Sequence, residues 1–240
     1  MNLPQLMKHF FELYGKRNRI FLESLLKRIV FLNLAIADLE DAIRKQADLP
    51  DLETALARVV ARIFCIADYF GELPINLPLA QKYPQTHCSY CKTSPCSCPE
   101  RRPDYTLEKI EATNEQLLWS LGKWCEHFKK VYGSKNKAEG IENLISRLFK
   151  EISELLTLAM KTPSRFSANT TIDDVETEFS KELCDALAWT IAIANYWEID
   201  LENSVIKRYG EVCWKCRKKP CDCTEFSMDQ IVWPSTKNFS

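Results

Sequence analysis

Glycine is scarce, with six residues in 240. That scarcity, beside plentiful Leu, Ile, Ala, Glu and Lys, disfavours many-turned β architectures and suits helices. Net charge is nearly absent too: 32 basic residues face 33 acidic ones, for a formal net charge of -1. No global positive field exists to neutralise phosphates, which argues against nucleic acid as a partner and leaves only a local basic patch to consider. Long apolar runs are missing. No segment reaches the roughly 18 uncharged apolar residues that a membrane span requires, and Met1 to Arg19 is broken by Lys8, His9, Glu12, Lys16 and Arg17, so it lacks the apolar centre of a secretory signal. A cytoplasmic location is the expectation. Hydrophobic residues make up 46% and charged ones 27%, which excludes a disordered chain. The length suits one large domain or two small ones.

What the chain does contain is an internal repeat. Lys8-His9-Phe10, Tyr14-Gly15 and Asn18 match Glu126-His127-Phe128, Tyr132-Gly133 and Asn136 at a constant offset. Leu22 to Ile29 runs beside Ile141 to Leu148, and Ala67-Asp68-Tyr69-Phe70 pairs with Ala194-Asn195-Tyr196-Trp197. Each half closes with an aromatic, Tyr83 or Tyr209, after Lys or Arg, and then the same cysteine pattern. Self-similarity of this kind indicates tandem duplication, with the joint at Pro99-Glu100-Arg101-Arg102-Pro103. The expected organisation is a first unit over 1–100, a second over 101–225 and a tail over 226–240. Apolar periodicity predicts helices at Leu6 to Tyr14, Phe21 to Gln46 and Leu52 to Tyr69 in the first half. In the second it predicts Leu107 to Tyr132, Ile141 to Met160, Asp174 to Tyr196 and a short Leu201 to Tyr209. Thr171 followed by acids is a start signal for the last long helix, and the polar run Lys161 to Thr171 reads as a loop.

Two acidic pairs stand in apolar surroundings. Leu144, Leu148, Ile152 and Leu155 form a helical stripe that includes Glu151, with Glu154 at its edge. Glu182 and Asp185 share a side with Trp189, Ala192 and Ile193. A separation of three residues stacks the carboxylates of each pair on one helix face. An isolated Glu-x-x-Glu usually lies on a solvated face, but the repeat places Leu32, Ala35, Ala55 and Arg58 at the positions equivalent to Glu151, Glu154, Glu182 and Asp185. Three of the four equivalents are apolar, so these positions are expected to be buried. Buried carboxylates need protons or cations, and Mg2+ suits oxygen ligands while retaining water for a phosphate-bearing substrate.

With these residues in view, the chain resembles the MazG-like, all-α nucleoside triphosphate pyrophosphohydrolase superfamily. Glu151-Ile152-Ser153-Glu154 is similar to the last two glutamates of that family's Glu-Glu-x-x-Glu run, and Glu182-Leu183-Cys184-Asp185 to its Glu-x-x-Asp run. The stretch Ala194 to Glu202, followed by Lys207-Arg208-Tyr209, resembles the segment that follows. Lys150 stands where the family has its first glutamate. The resemblance covers Gln116 to Tyr209 and, as a degenerate copy without the acids, Leu6 to Tyr83. It implies hydrolysis of a nucleoside triphosphate to the monophosphate and pyrophosphate, with Mg2+ on Glu151, Glu154, Glu182 and Asp185 and one carboxylate as base. It also implies paired protomers, either a second copy of the chain or the degenerate half as a built-in partner. Lys207 and Arg208 are candidates for phosphate contacts. Trp124, His127, Tyr132 and Trp189 offer flat surfaces for a base, although His127 recurs as His9 in the half without acids and so is read as serving the fold. Arg58 is read as filling its own acid-free site.

Cysteine is abundant, at eleven. In a reducing compartment clustered thiols bind metal more often than they form disulfides. Cys88, Cys91, Cys96 and Cys98 recur as Cys213, Cys216, Cys221 and Cys223 with identical spacing. Four thiolates in so short a loop match a closed, structural zinc site. An iron–sulfur cluster, a redox disulfide or a metal shared between the two loops are the alternatives that spacing leaves open. Trp214 among Lys215, Arg217, Lys218 and Lys219 keeps a zinc-loop nucleic-acid adaptor in view. Cys65, Cys125 and Cys184 read as packing residues. The expectation is therefore an all-α helical bundle of two MazG-like repeats, each ending in a four-cysteine zinc loop, with one magnesium-dependent site. Its rivals are a nucleotide sensor that has lost turnover through Lys150, and the adaptor.

Overall fold

The computed structural model describes residues 1–71, 73–99, 111–165 and 171–223, with the backbone alone for 162–165 and 172. The expected joint beyond Pro99, the segment from Leu107 to Ile110, the run 166–170 and the tail lie outside the described residues. Within them every regular element is a helix. They are α1 (Leu3–Phe21), α2 (Leu25–Arg44), α3 (Leu49–Tyr69), α4 (Asn76–Lys82), α5 (Asn114–Leu117), α6 (Leu121–Glu139), α7 (Ile141–Arg165), α8 (Ile172–Tyr196) and α9 (Leu201–Tyr209).

Local chemistry sets the ends. The Asn2 side chain accepts from the Gln5 N–H at 2.9 Å while Gln5 accepts from the Asn2 N–H at 3.0 Å, a reciprocal cap that starts α1 earlier than the apolar pattern alone suggests. Phe21 belongs to the end of α1 rather than the start of α2, because Ser24 caps α2 by accepting from the Lys27 N–H at 3.2 Å. Thr171 caps α8 together with Asp174, as its position before a pair of acids predicts. The single long helix expected over Leu107 to Tyr132 is corrected. A short α5 turns at Leu118, and Ser120 opens a new helix by capping the Lys123 N–H at 3.1 Å. The expected loop from Lys161 is also shorter, since α7 continues through Arg165. Gly140, at φ 82°, separates α6 from α7, a backbone angle that favours glycine.

The hairpins α2/α3 and α7/α8 form the centre, with α2 against α7 and α3 against α8. Around it the chain crosses over. α3 is flanked by α1 and by α9 from the far end of the sequence, while α8 is flanked by α6 and by α4 from the first half. The cysteine loops follow their helices. The Cys96 N–H donates to the Val131 carbonyl on α6, and the Cys221 N–H to the Leu13 carbonyl on α1, each at 2.7 Å. His9 adds a contact of 2.6 Å to the Gly210 carbonyl. One continuous core therefore contains residues of both halves, among them Leu13, Leu32, Ile36, Phe64, Leu148, Phe179 and Leu187. Apolar burial of this kind is worth roughly 1.5–3 kcal/mol for each large side chain. Below the core surface Arg28 is 2% exposed. It donates to Asp68 at 3.1 Å and to the Leu22 carbonyl at 2.8 Å, which satisfies a charge that would otherwise be costly to bury.

Candidate metal centre and its cavity

The helix pair α7/α8 brings its acids to one place. Glu151, Glu182 and Asp185 each offer a carboxylate oxygen, and the three oxygens lie within 4.8 Å of one another. At the repeat-equivalent positions Leu32, Ala35 and Ala55 are buried, so an apolar side chain sits comfortably where the second half has an acid. Arg58, at the fourth position, donates to Asp38 at 2.6 Å within its own half.

Burial dominates the electrostatics. It pushes the Glu151 carboxyl up to about 7, with the Asp185 charge adding to the effect. It pushes Glu182 up to about 7 as well, again reinforced by Asp185. Asp185 is also raised by burial, although the Lys82 ammonium pulls the other way. Lys82 itself is held above its usual range, because attraction to Asp185 outweighs the burial that disfavours its charge. At Asp185 burial outweighs the pairing, with the Glu154 charge adding to it, whereas at Lys82 the pairing outweighs burial. Glu154 behaves differently. Burial raises it, but the Lys150 ammonium at 2.5 Å outweighs that and holds it below the usual carboxylate range. One oxygen, Glu182 Oε2, is buried and has no hydrogen-bond partner, and Glu151 Oε1 accepts from the Trp189 indole N–H at 3.2 Å.

A carboxylate cluster in which burial disfavours the charged forms of Glu151, Glu182 and Asp185, with one oxygen left without a donor, could hold a hard divalent cation. The acids line a cavity of about 270 Å³. Three cations share its wall: Lys82, ion-paired to Asp185, Lys150, and Arg147, whose guanidinium lies 5.1 Å from the Trp189 ring centre. Tyr83, Tyr90, Phe128, Tyr132 and Trp189 supply flat apolar surface. Cations, acids that could hold a metal and aromatic walls thus meet in one space.

All four acids named from sequence reach this cavity, as do Trp189 and Tyr132. The other expected contacts do not. Lys207 and Arg208 sit on α9, which packs against α3, and the Arg208 guanidinium lies 5.5 Å from the Trp214 ring centre. Trp124 is fully buried beside Trp119, His127 and Phe128, and burial lowers His127 to about 4. Neither lines the cavity. The crossing of α4 explains the exchange. It delivers Lys82 and Tyr83 of the first half to the acids, while Arg208 and Tyr209, their repeat equivalents, go to the other side. The pairing of Lys82-Tyr83 with Arg208-Tyr209 was legible as a repeat, and only the crossing was not.

Each cysteine loop forms its own group of four sulfurs within 4.8 Å, so a metal shared between loops is excluded. Sγ separations are 3.7 Å for Cys88–Cys98, 3.9 Å for Cys91–Cys96, 3.8 Å for Cys213–Cys223 and 3.9 Å for Cys216–Cys221. A tetrahedral ion with metal–sulfur bonds of about 2.3 Å sets sulfurs about 3.8 Å apart, whereas a disulfide needs about 2.05 Å. Backbone N–H groups of Ser97 and Asp222 point at Cys91 and Cys216 sulfur, each at 3.4 Å. Both loops can therefore hold a metal ion. In the second, Lys218 pairs with Asp222 and Lys219 with Glu12, each at 2.9 Å, which offsets much of its positive charge. Cys65, Cys125 and Cys184 are buried apart from both groups.

No protein family, no curated protein and no solved structure matches this chain. No helix among the described residues is long and apolar enough to cross a membrane.

Proposed function

We propose that the chain is a Mg2+-dependent nucleotide pyrophosphohydrolase that cleaves a nucleoside triphosphate to nucleoside monophosphate and pyrophosphate. In this reading it is an intrachain pseudo-dimer of two MazG-like repeats, the first degenerate, and each cysteine loop holds structural zinc. The observation that carries it is the close trio of buried Glu151 and half-buried Glu182 and Asp185 in a cavity that also presents Lys82, Arg147 and Lys150.

Glu151, Glu182 and Asp185 would hold Mg2+, which polarises the α-phosphate and lowers the pKa of a bound water when present. Water oxygen forms a bond to the α-phosphorus, the bridging oxygen to the β-phosphorus departs, and the water proton must be taken up. Glu154, ionised and more exposed than the acids it adjoins, serves as that acceptor. Lys82 is paired to Asp185. With Asp185 holding a metal, the Lys82 ammonium would be available to substrate phosphate, and Arg147 offers a planar fork for another phosphate. The aromatic walls hold the base.

The test is incubation of the purified protein with a panel of standard and modified nucleoside triphosphates in Mg2+, with detection of pyrophosphate. Turnover that Glu151→Gln abolishes supports the enzyme. The replacement of a family acid by Lys150, which pairs with Glu154, favours a second reading as a nucleotide sensor. Tight binding without product supports that alternative, and absence of both overturns the nucleotide reading.

A further inference from the structure

We infer that the Cys88–Cys98 loop is a wall of the substrate cavity, so that the ion held by its thiolates sets nucleotide affinity, a role the identical loop at Cys213–Cys223 does not have. The inference rests on reading the cavity as a nucleotide site. Ser89 and Tyr90 lie between the first two thiolates of this loop, and both line the cavity. The loop is pinned to α6 by the Cys96 N–H bond to Val131, the residue before Tyr132, which also lines the cavity.

A second connection leaves the loop at its other end. Lys135 Nζ donates to the Cys98 carbonyl at 2.9 Å and lies 3.3 Å from the Glu139 carboxylate. Glu139 in turn pairs with Arg147 at 3.3 Å. Arg147 lies over Trp189, whose indole N–H donates to Glu151. Lys135 and Glu139 are about a tenth exposed, at 11% and 10%, so these charges hold their geometry with little help from water. Lys135 and Glu139 are positioning residues for Arg147, and Tyr90 is a wall that contacts substrate. A loop this short has no core of its own, so its order depends on the ion it binds.

The second loop is an internal control. It docks on Leu13 of α1, its Trp214 is 41% exposed, and none of its residues lines the acid cavity.

The experiment uses the full chain and calorimetric titration with a nucleoside triphosphate carrying a non-hydrolysable α,β bridge, in Mg2+. Zinc content is measured in parallel. Tyr90→Ala, Lys135→Met and Cys91→Ser are each expected to weaken binding about tenfold, the size of one lost base–aromatic contact or phosphate partner. Cys216→Ser is expected to lose zinc equally and Trp214→Ala to lose none, both binding as the parent does. Should Cys91→Ser not fold, Tyr90→Ala and Lys135→Met decide the matter. Parental affinity in those two variants, or equal weakening by Cys216→Ser, overturns the inference alone. A parent chain that binds no nucleotide overturns the functional reading beneath it.

Discussion

Glu151→Gln should make the Mg2+-free protein more stable at pH 8, although it removes a group from the centre of the site. Burial and Asp185 carry the Glu151 carboxyl from its ordinary 4.5 to about 7 in the folded chain. Between those values the folded protein keeps a proton that the unfolded chain has released, so stability falls as pH rises through that window and stays reduced above it. The full difference corresponds to about 3 kcal/mol, and screening by cavity water lowers it to roughly 2 kcal/mol. Glutamine cannot ionise, and its amide oxygen can still accept from Trp189. At roughly 2–4 °C per kcal/mol for a chain of this size, the variant should melt about 4–8 °C higher than the parent at pH 8. Near pH 5, where the parent's Glu151 retains its proton in the fold, the gain should shrink to under about 1 kcal/mol. Mg2+ should then stabilise the parent and leave the variant unmoved. The assay is thermal and urea denaturation at both pH values, after dialysis that removes Mg2+ while leaving thiolate-held metal. A stability gain over the parent that is no larger at pH 8 than at pH 5 would refute the argument, as would equal Mg2+ stabilisation of both proteins.

Other consequences are open to measurement. Lys82→Met leaves the Asp185 charge buried among further acids and should cost about 1–3 kcal/mol without Mg2+, with most of it restored by the cation. Urea midpoints with and without Mg2+ test this, and an unrestored loss counts against a cation at Asp185. Arg28→Met strips Asp68 of its buried partner, so a loss of about 3–5 kcal/mol is expected, checked by chemical denaturation. His127, lowered by burial to about 4, should remain neutral in NMR titration down to that pH. Because the unfolded chain takes up that proton first, its contribution to stability is complete above the ordinary value of 6.5 and is lost as pH falls towards 4. Elemental analysis should find about two zinc ions per chain, and Cys88→Ser should remove one of them.

Much of this was written locally. Helical periodicity located α3, α7 and α8, and Thr171 announced its cap; of the acids marked for burial by their apolar equivalents, Glu151 is buried, Glu182 is half-buried and the Glu154 side chain is 43% exposed. The cysteine spacing alone defined both sulfur clusters. The places where sequence reasoning stopped are long-range. Nothing in residues 76–90 says that α4 lies on α8, so Lys82, Tyr83, Ser89, Tyr90 and with them a quarter of the cavity wall were out of reach. Lys207 and Arg208 follow the acids in the chain and so point to them by proximity, yet α9 crosses to α3. Arg147 read as a match to Arg28, and its cavity role depends on the tertiary path of Glu139. The missed start at Leu121 was legible, since Ser120 is a sound cap, but the apolar residues before it masked the break.

The crossing of α4 also changes how damage to this protein would be interpreted. If the proposed activity is the protein's, a genetic screen for its loss would return changes at Lys82 or Tyr90, roughly a hundred positions before Asp185 and in the half that carries none of the four acids. Excising that half as dispensable ancestral baggage would take away a side of the acid-lined cavity, and complementation between separately expressed halves would be the way to restore it.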